Sequence, residues 1–178
     1  RIGSYSVNRN ELKDLYKFNA DPNEINHGVY YDGVQYESYV DILINEVPGY
    51  GKKLESVGIQ SGINDEANYI QKLFVYTRNQ CSKIYDLTEF SEIDDYDKIR
   101  FIDSFWRYGL IRDYTSNAIP QNIIDDFGNI NILAINESKQ WYELGDISDR
   151  FFVVRLITNN QSDMVFRDLD YHINSAKR

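Results

Sequence analysis

"INDEANYIQKLFVYTRNQCSKIYDL", residues 63–87, is the longest stretch of the chain whose apolar residues keep a helical spacing, and its reading decides the fold class. Ile70, Leu73, Phe74, Thr77, Cys81 and Ile84 recur as the buried stripe of an amphipathic helix does. Asn64 or Asp65 stands where a capping side chain accepts from the first free amides of a helix. On this spacing the segment is a helix. Cys81 is then a small core residue on its inner face rather than a nucleophile.

The same periodicity extends outward in both directions. In "ESYVDILINEVPG" (37–49), Val40, Leu43, Ile44 and Val47 stand at i, i+3, i+4 and i+7, and Pro48-Gly49 provides the stop. In "DDYDKIRFIDSFWRYG" (94–109), Asp94 or Asp95 caps a helix that turns Ile99, Ile102 and Trp106 inward. Phe101 and Phe105 widen its apolar face, and Gly109 suits the left-handed position that ends it. A short helix is expected over "NRNELKDLYKFN" (8–19), opened by Asn8 and Glu11, with Leu12, Leu15 and Tyr16 on one face. "SKQWYELG" (138–145) makes two further turns closed by Gly145.

Between and after these stretches the pattern is strand-like. "GVYYDGVQYE" (28–37) reads as a hairpin about Asp32-Gly33. Residues 130–135 read as an Ile-rich strand, and "RFFVVRLITNNQSDMVFRDLDYHI" (150–173) as a long hairpin about Asn159-Asn160. In the latter, Phe152, Val154 and Leu156 alternate with Phe151, Val153 and Arg155, so the first strand is covered on most of both faces. "GYGKKLESVGIQSG" (49–62) reads as a glycine-punctuated loop, and residues 1–7 as a tag or a disordered end. The expected architecture is α+β: one globular domain over residues 1–178, with a central group of amphipathic helices and mainly antiparallel strands, strand-rich toward the C-terminus.

Composition narrows the function. The chain has 178 residues, enough for a sizeable core, with 42% hydrophobic and 26% charged residues, as a folded domain requires. Its net charge of −9 opposes broad contact with phosphate backbones, which depends on Lys and Arg, and suits a basic protein partner. One cysteine leaves neither an internal disulfide nor a thiolate metal cluster, as in a reducing cytoplasm. No apolar run approaches the roughly 20 residues that span a bilayer. Abundant Ile, Asn, Tyr and Asp beside scarce Ala and Pro indicate an AT-rich genome, such as that of a phage or a low-GC bacterium.

The chemistry turns on "DDFGNINILAINESK" (125–139). Metal-dependent nucleases of the PD-(D/E)xK type place one Asp on a strand and Glu-x-Lys on the next, where the carboxylates bind Mg²⁺ and the Lys positions water. "YYDGVQYESYVDIL" loosely resembles the opening of such nucleases, and the resemblance supplies Asp41 as a further acid. Asp41, Asp126, Glu137 and Lys139 then form the set, with Asp126 and Glu137 on the metal. That set converges only if residues 130–139 form one continuous strand. With Asn136 as a helix cap, Glu137 and Lys139 diverge by roughly 200°. A winged-helix nucleic-acid binder is a further alternative, with a recognition helix at "KIRFIDSFWRYG" (98–109) and Lys98, Arg100, Arg107 and Arg112 on phosphates. Asp94, Asp95, Asp97, Asp103 and Asp113 oppose that field. His27 and His172 are too few for histidine-based sites, "EIDDYDK" (92–98) lacks the glycine turn of a calcium loop, and "GYG" (49–51) lacks the spacing of a phosphate cradle.

The leading expectation is therefore a non-catalytic protein-binding or assembly domain that needs no cofactor. It would be a phage or viral accessory or structural component, or an acidic immunity-type inhibitor, acting in the cytoplasm or the virion. Tyrosine anchors interfaces at small entropic cost, and the chain has 15 of them. Tyr30, Tyr31, Tyr36, Tyr39 and Tyr50 form the nominated contact patch. The oligomeric state is open at this level.

Overall fold

The structure is a computed structural model, and it describes residues 5–7, 15–17, 29–30, 34–35, 37–46, 48–62, 70–87, 100–109, 111–116, 122–158 and 165–175. It corrects the α+β expectation. Among the described residues, strands account for 53% and helices for 6%, and no helix reaches seven residues. In chain order the strands are β1 (Tyr5–Val7), β2 (Leu15–Lys17), β3 (Val29–Tyr30), β4 (Val34–Gln35), β5 (Ser38–Ile44), β6 (Lys52–Gly62), β7 (Lys72–Tyr76), β8 (Tyr85–Asp86), β9 (Arg100–Ile102), β10 (Phe105–Tyr108), β11 (Ser148–Asp149), β12 (Phe152–Thr158) and β13 (Val165–Ser175).

Two antiparallel sheets face each other. One runs β5-β12-β7-β8; in the other, β6 carries β13 on one edge and β10 and β11 on the opposite edge, with β9 beyond β10. Leu54, Val57, Ile59 and Tyr108 of the second sheet close a core with Ile44, Leu73, Val75, Phe152, Val154 and Leu156 of the first. Tyr85 and Tyr108 meet across the gap with ring centroids 3.8 Å apart. Residues 122–135 add a partial third layer on the outer face of the first sheet, where Phe74, Cys81, Ile123 and Ala134 form a second buried cluster.

That third layer explains why helices were expected. A strand buried on both faces presents consecutive apolar residues and loses its two-residue signature. In β7, Leu73 and Phe74 point to opposite faces, and both are fully buried, one in each cluster. Helical spacing would have put them side by side. In β5, Ile42 and Ile44 face the core while Tyr39, Asp41 and Leu43 face outward, so a period of two was present beneath the helical one. The helix expected over residues 94–109 is the β9–β10 hairpin where it is described. Ile102 pairs with Phe105, and Asp103 and Ser104 both take positive φ, 53° and 67°. A two-residue hairpin demands that conformation, and without an Asn-Gly or Asp-Gly pair the sequence does not advertise it.

Other expectations fail for related reasons. Leu15 and Tyr16 lie in β2, paired with β1, so the first short helix is absent there and residues 5–7 are strand. The supposed loop at 49–62 contains β6, the longest strand of its sheet together with β13. Glu55 is an extra residue in that strand, since His172 pairs with Ser56 and the next residue, Ile173, pairs with Leu54. Such a bulge returns Leu54 to the same face as Val57 and Ile59. Gly58 lies beneath Arg107, and a methyl group there would meet Arg107 Cγ at 3.3 Å. β12 is buried on both faces as its alternation implied, but it does not pair with β13: the chain passes from one sheet to the other. β3 and β4 do pair, Tyr30 opposite Val34, while the expected Asp32-Gly33 turn lies outside the described residues.

Candidate functional site

Arg155 organises the outer face of the first sheet. It sits at the middle of β12, opposite Asp41 of β5 and Phe74 of β7. Its side chain is 4% exposed, yet every guanidinium nitrogen has a partner. Nε donates to Asp41 Oδ1 at 2.7 Å, Nη2 to Asp41 Oδ2 at 2.6 Å, and Nη1 to the Gly128 carbonyl at 2.6 Å. The Tyr39 ring lies 4.0 Å from the guanidinium carbon and that of Tyr76 5.7 Å, within cation–π range. Tyr76 donates its hydroxyl to Asp41 Oδ2 at 3.2 Å. Burial acts to lower the Arg155 pKa, but the hydrogen bonds and charge of Asp41 outweigh it, and the net shift is upward. Burial, then the Asp41 charge, raises the Tyr76 phenol. A charge this deeply placed is tolerable because it is paired with a carboxylate and each of its nitrogens is hydrogen-bonded.

Through Gly128 the same arginine holds down a loop. Asp125 closes that loop upon itself: its Oδ1 accepts from the Phe127 and Asn129 amides at 2.9 and 2.7 Å, and its own amide donates to the Asn129 carbonyl at 2.9 Å. Hydrogen bonds from the Asn129 amide first, then from the Asn129 side chain, Phe127 and Gly128, hold the Asp125 carboxyl below its ordinary range. Gly128 takes φ +86°, and a methyl group there would lie 2.7 Å from the Tyr39 hydroxyl oxygen. Only glycine satisfies both demands. The closed loop presents Phe127 at its tip, 88% exposed, and the following 3₁₀ turn, Ile132–Ala134, exposes Leu133 at 71% and Ile132. A cleft of about 290 Å³ runs beneath, lined by Tyr39, Arg155, Lys72, Glu37, Ile130 and Ile132. A wider one of about 630 Å³ lies between Tyr76, Arg78, Asn79, Ser116, Asn122 and Ile123.

The residues nominated for a nuclease are not gathered into one site. Asp41 is engaged by Arg155, while Asp126, Glu137 and Lys139 are exposed. Residues 130–139 are not a continuous strand. A 3₁₀ turn covers 132–134, Ile135 makes an isolated bridge to Thr115, and the chain turns at 137–138, where Asn136 Oδ1 accepts from the Ser138 amide at 3.1 Å. The helix expected over 138–145 is a single 3₁₀ turn, Trp141–Glu143. Among the described residues, no group of three or more His, Cys, Asp or Glu side chains stands close enough to hold a metal ion.

The basic residues of the winged-helix alternative belong to strands and bridges. Arg107 pairs with Asp170 at 2.7 Å across Gly58, Arg112 pairs with Asp146, and Lys98 lies outside the described residues. Of the nominated tyrosines, Tyr39 is in the Arg155 site and Tyr50 is exposed, while the side chains of Tyr30, Tyr31 and Tyr36 lie outside the described residues. Cys81 is buried, and burial pushes its thiol up to about 11. His172 is exposed and contacts Glu55 at 2.9 Å; His27 lies outside the described residues.

Sequence reasoning passed over Arg155, although a signal existed. "FVVRLIT" and "SYVDILI" each carry one charge in an otherwise strand-like stretch, and the charges are opposite. Two such lone charges are each other's natural partner. No helix of the described residues is long and apolar enough to cross a membrane. No protein-family model matches the chain, and no curated protein matches it.

Proposed function

We propose that this chain is a protein-binding, assembly-type β domain whose contact surface is the loop 125–129 with the neighbouring 3₁₀ turn and Tyr39. The observation that carries the reading is a rigidly mounted apolar tip. Phe127 projects into solvent from a loop closed by Asp125 and anchored through Gly128 to a buried arginine, and Ile132 and Leu133 are exposed on the 3₁₀ turn that follows. Grouped exposed apolar side chains mark contact sites, and rigid mounting lowers the ordering cost of binding. Around them the ionic groups of the sheet are already engaged, Asp41 with Arg155 and Glu37 with Lys72. An apolar partner surface therefore fits here better than a basic one, which favours an assembly component over an inhibitor of a basic protein. A cytoplasmic or virion setting suits a single, buried cysteine.

The test is photo-crosslinking from single sites in the cells that make the protein. A benzophenone amino acid at position 127 is expected to give protein adducts, a second copy of the chain included. The same group at position 102, on the β9–β10 hairpin of the other sheet, is the control. Equal adduct formation at 102, or none at 127, overturns the reading.

A further inference from the structure

We infer that the outer edge of β5 pairs, antiparallel, with β5 of a second copy of this chain, joining two four-stranded sheets into one. The inference names a partner for the assembly reading above and rests on it. β5 is the terminal strand of its sheet and is bonded to β12 over all seven of its residues. Among the described residues, its backbone makes no hydrogen bond beyond that ladder. An unpaired edge of this length is a template for strand addition unless charge, proline or a bulge guards it.

None of those guards stands on Ser38–Ile44. The strand has no proline, and its register with β12 is unbroken. Its single charge, Asp41, is held bidentately by Arg155 of its own chain. Just before it, Glu37 pairs with Lys72; just after it, Glu46 accepts the Tyr171 hydroxyl. What remains exposed along it is largely apolar: Tyr39 and Leu43 on the outer face and Val40 on the other.

These features select the occupant. Among the described residues, a basic strand would find no unengaged carboxylate along the edge. A neutral strand rich in β-branched and aromatic residues would fit, and β5 is itself such a strand. A twofold axis at Asp41 sets Tyr39 against Leu43 of the partner and Val40 against Ile42 of the partner, so each exposed apolar residue is covered by another. The two aspartates then meet on the axis, each already neutralised by its own arginine. This is the self-complementarity that a closed, isologous dimer requires.

Sedimentation of the full chain tests it. The expected species has twice the 21.0 kDa monomer mass, with a concentration-dependent equilibrium. Val40→Lys and Leu43→Lys are each expected to weaken dimerisation by about tenfold or more, because each places a charge on the joined edge. Val40→Thr, which keeps a β-branched shape, should dimerise and so control for lost folding. Mixing Tyr39→Cys chains with Leu43→Cys chains should yield a disulfide-linked heterodimer, which reads the register even if the lysine variants fold poorly. A chain that stays monomeric up to about 100 µM overturns the inference. So does a dimer indifferent to both lysines, or a monomer whose β5 amides become protected only by a foreign strand. Adducts at position 127 alongside any of these results would leave the contact-surface reading standing while this inference fails.

Discussion

Among the described residues, two of the Arg–Asp pairs tie strands of one sheet together, one in each sheet, and they do different work. Arg155–Asp41 crosses from β12 to β5 with side-chain exposures of 4% and 31%, and the same arginine also reaches Gly128. Arg107–Asp170 spans from β10 to β13 over Gly58, with exposures of 32% and 45%. Charge type and distance are nearly the same. The surroundings differ. Beneath the loop, water is largely excluded, so each guanidinium nitrogen needs a partner from the protein, and the one supplied by the Gly128 carbonyl pins a loop to a sheet. On the second sheet, water competes for both groups, and the pair only straps strands that their ladders already join.

The largest expected effect sharpens this contrast. Arg155→Met should destabilise the domain by about 3 kcal/mol, since it strands Asp41 and the Gly128 carbonyl against an apolar group. Urea denaturation measures it; a loss below about 1 kcal/mol would place this pair with ordinary surface pairs. Next comes the loop itself. Gly128→Ala should cost about 2 kcal/mol through its positive φ and its collision with the Tyr39 hydroxyl. Adding Tyr39→Phe should recover the steric part but not the backbone part, and a double-mutant cycle separates the two.

Smaller effects are expected on the second sheet. Arg107→Ala should cost less than about 1 kcal/mol and lose most of its effect in high salt, whereas Arg155→Met should be nearly salt-independent. A salt-insensitive Arg107 effect would erase the distinction drawn here. The smallest effect is local. Asp125 has a lowered folded-state pKa, so what it contributes to loop order is present above the unfolded carboxylate pKa and lost as pH falls through the folded value. Amide exchange at Phe127 and Asn129 should therefore quicken, relative to the intrinsic rate, in that acid window while β12 stays protected. Simultaneous loss of protection in β12 would mean that loop and sheet open as one unit.

How much of this was legible beforehand differs from element to element. In β12, alternating large apolar residues on both faces announced a strand covered on two sides, and it is one. In β7 the same two-sided burial was hidden, because "KLFVY" keeps no alternation and its neighbours Ile70, Thr77 and Cys81 complete a helical pattern by coincidence. The β9–β10 turn was hidden by its chemistry, since Asp103-Ser104 is an uncommon choice for paired positive φ angles. In the loop, "DDFGN" drew notice to Asp126 as a metal ligand, while the acid that structures the turn is its neighbour, Asp125. Nothing in the local sequence separates those two carboxylates. Only the direction of the chain after Asp125 does.

The amino-acid sequence by itself determined that this chain has enough apolar residues for a core and that Phe152–Thr158 is strand. Those properties follow from composition and from alternation within a single element. Tertiary structure alone decided that residues 38–44 and 72–76 are extended, that β12 and β13 part company, and that Asp41 meets Arg155 across 114 positions. Strand pairing is satisfied between distant segments, and burial on a second face comes from a layer contributed by remote chain. Neither leaves a local periodicity to read.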